Sequence, residues 1–574
     1  MGKRETKPWA FLDEFRGVDF NGQWPNLKEM FHITAKRYPD RKCWTEFGKD
    51  PLTLTYREAE EKIVRVAGYL RSQGVTKDSH VGLSGRNSVN WALGFFSAVY
   101  AGAVIVPLDN AIHGDDLKKF VSFGDVDFFI GDGDRLDYVK DGVKGCLCLD
   151  SDKTGFPLIS DVALKEELPD SAYNPMGSDV AAILFTSGTT GLPKGVMLTH
   201  DNLVSCCYQA QANINTFYWD VYYAVLPLHH AYTMQAAFFE PMSVGAQVVF
   251  GKKLTVNQLL SDLKEGQITI FLGVPLLFNK LAKSLQEGLK KRGAAVYRSV
   301  NFLLHLSGFL RDVLHLNVGK KMFAPLLKQM SLENTRLCIS GGGPLPEFTA
   351  SMFHRLGIDF VQGYGMTETS PITHLDPVEN FVLESVGQII SPYQQKIVEP
   401  DDEGNGLIFI KGSCVMKGYY KNPQATSEVL DQDGWLNTGD VGHIDEHGYL
   451  YLSGRRKNVI VTEGGKNVFP EEIEDCFQLY DELAQVCIIP YIEDPVLKNE
   501  GVRLLALPSE SLIEKCSGNS AEIEREISHI VDEVNSNLIS YKKITKLTVI
   551  DKALETTSSA KIKRAEAIKR YADC

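Results

Sequence analysis

A segment rich in glycine and hydroxyl groups, with one lysine, follows the short apolar run 181–185. It reads TSGTTGLPKG. Glycines let backbone N–H groups come close to a ligand, hydroxyls add hydrogen-bond donors, and Lys194 adds a positive charge, which together suit a polyphosphate. The lysine lies six residues after Gly188, so this is not the Walker spacing, and a plain flexible hairpin is the alternative interpretation. The candidate phosphate-binding residues are Thr186, Ser187, Gly188, Thr189, Thr190 and Lys194.

Two further segments combine glycines with groups that could contact a ligand. In GYGMTETSP, Tyr364 offers an aromatic ring, Thr367 a hydroxyl and Glu368 a carboxylate. A carboxylate is a hard oxygen ligand that suits Mg²⁺, although a Thr-Glu pair alone is also a helix N-cap signature. The glycine run 341–343 would let a ligand edge approach the backbone. It is also typical of a tight turn between a strand and a helix.

Several single polar residues depend on their context for any functional meaning. Asp440 ends GWLNTGD and could accept two hydroxyls, while Arg455 and Lys457 lie in a charged run and Lys561 lies in SSAKIKR. An isolated Asp, Arg or Lys is usually a solvated surface residue. His230 in LPLHHAY has no metal-ligand partners in sequence, so a pocket wall is favoured over a metal site.

Alternating strands and helices must position these residues. Apolar runs that end in turn residues recur and are separated by amphipathic stretches, which predicts sheets covered on both faces and an α/β architecture. The charge-free run 91–108 is predicted to be a buried helix, a glycine turn and a buried strand rather than a membrane span, because glycines and a proline interrupt it. The predicted strands are 80–85, 103–108, 127–133, 246–250 and 268–275.

Two regions interrupt this alternation. Residues 278–330 carry no strand signal and are predicted to be helical, with lysines and arginines on their surface. Near residue 450, short strands flank a charged run, and a glycine pair precedes a helix that begins at Pro470. We therefore predict a large N-terminal α/β domain, residues 1–455, and a small C-terminal α+β domain, residues 456–574.

Composition narrows the class of protein. The 574 residues are 44% hydrophobic and 23% charged, which argues against a disordered, collagen-like or disulfide-scaffold chain. The formal net charge of −13 lacks the basic footprint of a nucleic-acid binder. The eleven cysteines show no zinc spacing, and the start of the chain has no apolar signal segment. We expect reduced thiols and a cytoplasmic location.

Taken in order, the motifs resemble those of the adenylate-forming enzymes, the superfamily of acyl-CoA synthetases, nonribosomal-peptide adenylation domains and firefly luciferase. The phosphate-loop sequence is followed by LPLHHAYTM, ISGGGPLP, GYGMTETSP, GWLNTGD, SGRRKNVIV and KIKR in the superfamily's order. The resemblance implies that a carboxylate attacks the α-phosphorus of ATP to give acyl-AMP and pyrophosphate. A thiol then displaces AMP. ATP, Mg²⁺ and CoA are the implied cofactor and co-substrates.

The resemblance also implies roles for the adenylation residues. Thr367 contacts the α-phosphate, Glu368 holds Mg²⁺ and Tyr364 stacks on adenine. Asp440 and Arg455 bind the ribose, and His230 borders the acyl pocket. The glycines that let the adenine edge approach are Gly341, Gly342 and Gly343.

For thioester formation, the resemblance implies that the small domain rotates about Lys457. It further implies that Gly464 and Gly465 line the pantetheine tunnel, and that Lys561 reaches the acyl carboxylate and the α-phosphate during adenylation. The lysine motif departs from the usual form, because Glu555 replaces a proline and Ala560 a glycine. If residue 560 needs a positive φ, alanine costs about 1 kcal/mol.

VTEGGKNVFPEEIE resembles acyl-CoA synthetases more than amino-acid-activating domains, and the helical segment 278–330 resembles the long- and medium-to-long-chain fatty acyl-CoA synthetases. The resemblance therefore implies a medium-to-long-chain fatty acid as substrate. A stand-alone ligase is expected, since the chain ends ten residues after Arg564. Three alternatives stay open: an aryl or branched acid, a fatty acyl-AMP ligase that feeds a carrier protein, and a non-catalytic ATP-binding protein. Peripheral contact of the basic residues of 280–330 with a membrane is a separate hypothesis. The sequence does not indicate an oligomeric state.

Overall fold

The computed structural model describes residues 7–48, 51–150, 155–164, 174–186, 194–252, 255–462, 466–494, 499–557 and 561–571. The strands of these residues, in chain order, are β1 (Lys42–Glu46), β2 (Leu52–Thr55), β3 (His80–Ser84), β4 (Val104–Pro107), β5 (Val126–Gly131), β6 (Gly145–Cys148), β7 (Val180–Thr186), β8 (Lys194–Thr199), β9 (Val221–Ala224), β10 (Gln247–Phe250), β11 (Ile270–Gly273), β12 (Leu337–Ser340), β13 (Asp359–Tyr364), β14 (His374–Leu375), β15 (Gln388–Ile389), β16 (Gln394–Val398), β17 (Gly406–Lys411), β18 (Gly418–Tyr419), β19 (Leu436–Ile444), β20 (Leu450–Arg455), β21 (Ile460–Val461), β22 (Asn467–Val468), β23 (Leu483–Asp494), β24 (Asn499–Pro508) and β25 (Lys546–Val549).

Helices connect most of these strands. They are α1 (Leu27–Arg37), α2 (Tyr56–Ser72), α3 (Val89–Tyr100), α4 (Gly114–Phe123), α5 (Gly133–Val139), α6 (Ile159–Val162), α7 (His200–Ala210), α8 (Ala231–Thr233), α9 (Glu240–Val244), α10 (Val256–Gly266), α11 (Pro275–Lys291), α12 (Ala294–Leu314), α13 (Gly319–Met322), α14 (Ala324–Gln329), α15 (Glu347–Arg355), α16 (Pro423–Val429), α17 (Pro470–Asp475), α18 (Glu510–Lys515), α19 (Ser520–Asn537) and α20 (Arg564–Tyr571).

The chain divides into two compact units. The first contains the described residues up to Gln395 together with Ile410–Leu436, and the second contains Lys396–Phe409 and the described residues from Asn437 onward. These limits differ from the predicted domains 1–455 and 456–574. The predicted boundary concerns which segment rotates and stays a prediction.

Two large mixed sheets build the first unit. One has the strand order β15-β14-β13-β12-β11-β9-β10-β1-β2, and the other has the order β18-β8-β7-β4-β3-β5-β6. Most of their neighbouring strands are parallel, as expected for apolar strands covered by helices on both faces. The α/β prediction is confirmed.

Local sequence accounts for the helix boundaries that matter to the sheets. Asn26, Thr55 and Thr199 each cap a helix by accepting from the backbone three residues on, and the residue there bonds back to the cap, which forms a capping box. The run 91–108 forms the buried helix α3, a turn at Gly102 with φ of 86°, and strand β4, as predicted. No helix within the described ranges is long and apolar enough to cross a bilayer.

The second unit is α+β. Its strands form a sheet of order β16-β17-β19-β20, a small pair β21-β22, and a sheet β23-β24-β25. Helices α17 and α19 cover the last of these sheets through a cluster of buried aliphatic residues that includes Ile473, Ile488, Leu504 and Ile527. The predicted helical character of 278–330 is likewise confirmed by α11, α12, α13 and α14 in the first unit.

Candidate active site

The predicted phosphate-binding segment joins two antiparallel strands, β7 and β8. Thr186 is the last residue of β7 and lies opposite Lys194, the first residue of β8, and the Thr186 hydroxyl donates to the Lys194 carbonyl over 3.4 Å. The intervening residues, which include Ser187, Gly188, Thr189 and Thr190, lie outside the described residues. The hairpin therefore fixes the two ends of the segment.

Tyr419 joins this hairpin to the Thr-Glu motif. β18 pairs with β8 so that Tyr419 lies opposite Val196. The Lys194 ammonium lies 4.6 Å from the centroid of the Tyr419 ring, and the Tyr419 hydroxyl donates to Glu368 Oε1 over 2.8 Å. Lys194, predicted to bind phosphate, and Glu368, predicted to hold Mg²⁺, are thus linked through one aromatic side chain.

The Thr-Glu motif forms a single 3₁₀ turn, Thr367–Thr369, just after β13. The Met366 N–H donates to the Thr369 hydroxyl at 3.0 Å, and the Met416 N–H donates to the Glu368 carbonyl at 2.9 Å. Only 8% of Glu368 is exposed. Tyr364 ends β13 and its ring centroid lies 5.5 Å from that of His374. These bonds hold the motif in one conformation.

The glycine run forms the turn between β12 and α15. Gly342 has a φ of 86°, a conformation that favours glycine, and a Cβ at Gly341 would lie 2.9 Å from the Tyr232 ring. At Gly343 a Cβ would meet only Pro275, at 3.7 Å. Neither packing nor backbone conformation requires glycine at position 343. Close approach of a ligand to the backbone would explain the lack of a side chain there.

His230 lies in the loop after β9, just before α8. Its ring centroid is 4.1 Å from that of His229, and His229 Nε2 is 3.7 Å from a carboxylate oxygen of Asp109. Burial, with a smaller contribution from His230, lowers the pKa of His229 to about 3 despite the opposing Asp109 charge. A buried, neutral His229 fits the interpretation of this pair as a wall of a pocket.

Tyr232 connects the His230 loop to the glycine turn, a role that sequence reasoning missed. Its hydroxyl donates to the Ile339 carbonyl at 3.2 Å and lies 3.4 Å from the Gly273 carbonyl oxygen. The next segment, Met234–Phe239, is a buried π-helix. Such helices are frequent at functional sites, but an apolar run gives no sequence signal that separates them from α-helices.

The second unit contains the predicted ribose ligands. Asp440 in β19 lies opposite Arg455 in β20, and Arg455 Nε is 2.8 Å from Asp440 Oδ1. Thr438 supports this position, because its hydroxyl donates to the Ile408 carbonyl and accepts from the Asp440 N–H. The two predicted ribose ligands are therefore brought together as an ion pair.

Lys561 is also in the second unit, where the charges of Asp440 and Arg455 act on its side chain. Its side chain is exposed, yet the surrounding protein partly desolvates it and lowers its pKa, an effect that nearby Arg455 reinforces and Asp440 opposes. A narrow hairpin holds its backbone, since the Thr557 N–H donates to the Lys561 carbonyl at 2.8 Å. Ala560 lies outside the described residues, so the cost of alanine there stays a prediction.

Arg564, three residues after Lys561, anchors this hairpin. Its guanidinium binds Glu471 at 3.3 Å and Glu474 at 2.8 Å, and it also donates to the Ile488 carbonyl. Its side chain is 14% exposed. The sequence pattern KIKR contains this residue but does not indicate that it reaches α17.

The remaining predicted residues are less informative. Lys457 is exposed in the turn Arg456–Asn458, where the neighbouring Asn458 side chain donates to Glu471. Gly464 and Gly465 fall outside the described residues. The predicted roles of these three residues stay predictions.

Magnesium fits the residues around Glu368. The Tyr419 hydroxyl orients this carboxylate, whose hard oxygens suit Mg²⁺. Within the part of the chain that the structure describes, no group of three or more His, Cys, Asp or Glu residues is arranged to hold a metal ion by itself.

Curated relatives cover most of the chain at low identity. A chloroplastic long-chain-fatty-acid–[acyl-carrier-protein] ligase of Arabidopsis thaliana is 27% identical, over 85% of this chain and 78% of its own length. A long-chain-fatty-acid–CoA ligase of Rattus norvegicus is 27% identical over 90% and 80%. A feruloyl-CoA synthase of an Amycolatopsis species is 26% identical over 96% and 99%.

A solved structure shares the fold of this chain, and a family profile identifies its family. The O-succinylbenzoate coenzyme A synthetase of Bacillus subtilis, in complex with ATP and a magnesium ion, matches with a TM-score of 0.72 and 23% identity, over 94% of this chain and 98% of its own. The profile described as AMP-binding enzyme matches residues 31–420. The chain therefore belongs to the AMP-binding enzyme family and is an ATP-dependent ligase that forms acyl-adenylates.

Proposed function

We propose that this ligase joins a medium-to-long-chain fatty acid to CoA and releases AMP and pyrophosphate. The observation that carries the adenylation step is the ion pair of Asp440 with Arg455, whose charges also act on Lys561 in the same unit. The fatty-acid class is supported by two of the relatives, which are named for long-chain fatty acids. The long helical segment α11–α14 also supports this class, because it resembles the corresponding segment of fatty acyl-CoA synthetases.

In the first step, a carboxylate oxygen of the acid forms a bond to the α-phosphorus of ATP. The bond between that phosphorus and the bridging oxygen breaks, and its electron pair leaves with pyrophosphate. Because two anions meet, the site must supply positive charge where the negative charge develops. In our proposal Lys194 faces the β- and γ-phosphates, Lys561 faces the acid and the α-phosphate, and Glu368 holds Mg²⁺, which neutralises phosphate charge when bound.

In the second step, the thiolate of CoA attacks the acyl carbonyl carbon, and the electron pair of the broken acyl–oxygen bond leaves with AMP. We propose that the Asp440–Arg455 pair keeps hold of the AMP ribose. Rotation about Lys457 would exchange Lys561 for the Gly464-Gly465 segment, so that the two steps use different parts of the small domain.

Two of the alternative functions are each supported by the name of one relative. The Arabidopsis relative is named for an acyl-carrier protein as acceptor, and the Amycolatopsis relative is named for an aryl acid. At 26–27% identity such names do not carry over to this chain. Acid and acceptor must therefore be tested separately.

The test is pyrophosphate release with ATP and Mg²⁺ over saturated fatty acids of increasing length, ferulate and other aryl acids. Each acid is assayed without acceptor, with CoA, and with a phosphopantetheinylated carrier protein. We expect turnover that peaks at one chain length and continues only with CoA. If ferulate were the only acid turned over, the proposed substrate would be an aryl acid instead of a fatty acid. If turnover occurred only with the carrier protein, the proposed acceptor would be that protein instead of CoA.

A further inference from the structure

Helix α12 carries a row of large apolar side chains on its outer face. Phe302, Leu306, Phe309 and Val313 follow one another at intervals of three or four residues and therefore lie on one side of the helix. Their exposed fractions are 68%, 37%, 56% and 57%, respectively. We call these four residues the α12 stripe. It spans about 16 Å at the rise of an α-helix, and Leu316 extends it beyond the helix end at 52% exposure.

The opposite face of α12 fixes the direction of this stripe. Leu304 is part of the core between α11 and α15. The Ser307 hydroxyl donates to the Arg355 carbonyl at 2.7 Å, and Arg311 donates to the His354 carbonyl at 2.8 Å. The helix therefore cannot bury the stripe by rotating about its own axis without losing these contacts.

The surroundings of the stripe are strongly basic. Residues 283–330 contain nine lysines and arginines against two acids, a net charge of +7 in a chain whose total is −13. The Arg292 guanidinium bonds to the Gln329 side chain at 2.5 Å, which brings the end of α14 beside the turn before α12. The exposed cations near the two ends of the helix are Lys290, Lys291, Arg292, Arg298, Lys321 and Lys328.

We propose that the α12 stripe docks this enzyme on an anionic lipid surface, with α12 lying in the plane of the headgroups. Apolar side chains on one helix face with lysine and arginine beside them are the pattern of interfacial helices, and the cations would meet the negative leaflet. A second copy of the chain fits less well, because two such basic faces would repel each other across an interface. The proposal concerns a surface and does not depend on which acid is activated.

The experiment is flotation of the purified full chain with phosphatidylcholine vesicles, with and without phosphatidylserine and without substrates. We expect binding that needs phosphatidylserine and weakens as salt is raised. The double variant Phe302→Glu/Phe309→Glu should lower the partition coefficient by about tenfold or more, because it removes apolar contact and adds negative charge. Lys290→Glu/Lys291→Glu should weaken binding to the anionic vesicles only.

The matched control is Val18→Glu/Ile539→Glu, which places the same charges at apolar residues that are 78% and 52% exposed elsewhere. This control should float like the unchanged protein. Thermal unfolding should show that all three double variants remain folded. Equal flotation of the stripe variant and the control would overturn the proposal. A change in sedimenting mass of the stripe variant without a change in flotation would instead identify the stripe as a protein interface, and would also overturn it.

Discussion

In the proposed mechanism, the adenylation step depends most on Lys561. Replacing it with alanine removes the positive charge from the Asp440–Arg455 cluster. Acyl-dependent exchange of pyrophosphate into ATP should then fall by about 10²- to 10³-fold. The control is Lys563→Ala, whose ammonium is exposed and binds Glu555 at 3.3 Å. Equal losses in the two variants would show that the charge of the hairpin, and not Lys561, is what matters.

A substitution at Gly343 should affect ATP binding without affecting the stability of the fold. Gly343→Ala should raise the KM for ATP about tenfold, because the added methyl group would meet the adenine edge, while the melting temperature stays unchanged. Gly288→Ala is the control, since a Cβ there has nothing within 4 Å. An unchanged KM would leave position 343 without a role in adenine binding.

Glu240 predicts a pH dependence of stability. It is 3% exposed, one of its oxygens accepts from the Thr216 hydroxyl at 3.1 Å, and burial raises its pKa to about 8. Between its ordinary pKa of about 4.5 and this value, the folded state holds a proton that the unfolded state has lost, so stability falls as pH rises.

Glu240→Gln should remove that part of the fall. The free energy of unfolding of the variant, relative to that of the unchanged protein, should increase between pH 5 and pH 8. Denaturant unfolding at both pH values measures this difference, and Glu287→Gln, at an exposed position, is the control. A gap that does not widen with pH would contradict the buried, protonated carboxyl.

At the scale of elements, α20 should depend on a single side chain. Arg564 ties the start of α20 to Glu471 and Glu474 of α17. Arg564→Met leaves both carboxylates without their cation and should lower the free energy of local opening of α20 by about 3 kcal/mol. Amide hydrogen exchange of residues 564–571 in the full chain measures this.

The control for α20 is Lys569→Met, whose side chain is 72% exposed and pairs with Glu566 on the same helix. Exposed pairs of this kind contribute little, so exchange in this variant should change by less than about 0.5 kcal/mol. Faster exchange in both variants alike would assign the stability of α20 to its general charge rather than to the Arg564 anchor.

Sequence patterns predicted most elements, because strands and helices have different apolar periods. The runs 80–85, 127–133 and 246–250 became β3, β5 and β10. The outward direction of the α12 stripe could not be predicted, since Leu303, Leu304 and Leu310 make the helix apolar on several sides. Only the contacts with α15 decide which side is buried.

For the candidate site, the motifs located residues but not their contacts. Tyr419 bonds to Glu368 across 51 positions of sequence, and its ring lies beside Lys194 only because β18 pairs with β8. Strand register of this kind depends on the whole sheet rather than on local pattern. Tyr232 and Arg564 likewise contact residues that are distant in sequence, which a local pattern does not indicate.

At the scale of the whole molecule, each compact unit contains a different part of the proposed chemistry. The first contains Lys194, Tyr419 and Glu368, and the second contains Asp440, Arg455 and Lys561. A transfer through acyl-AMP requires both sets, because phosphate, ribose and acid belong to one intermediate. The path of the carboxylate oxygens reports directly on that intermediate.

The most direct test uses a fatty acid labelled with oxygen-18 at both carboxylate positions, together with ATP, Mg²⁺ and CoA. Attack on the α-phosphorus followed by thiol displacement leaves one labelled oxygen in AMP and the other in the acyl-CoA carbonyl. Mass spectrometry of the products should therefore find one label in AMP. ADP with the label in inorganic phosphate would mean an acyl-phosphate route, and unlabelled AMP with the label in pyrophosphate would mean attack on the β-phosphorus. Either result would contradict the proposed mechanism.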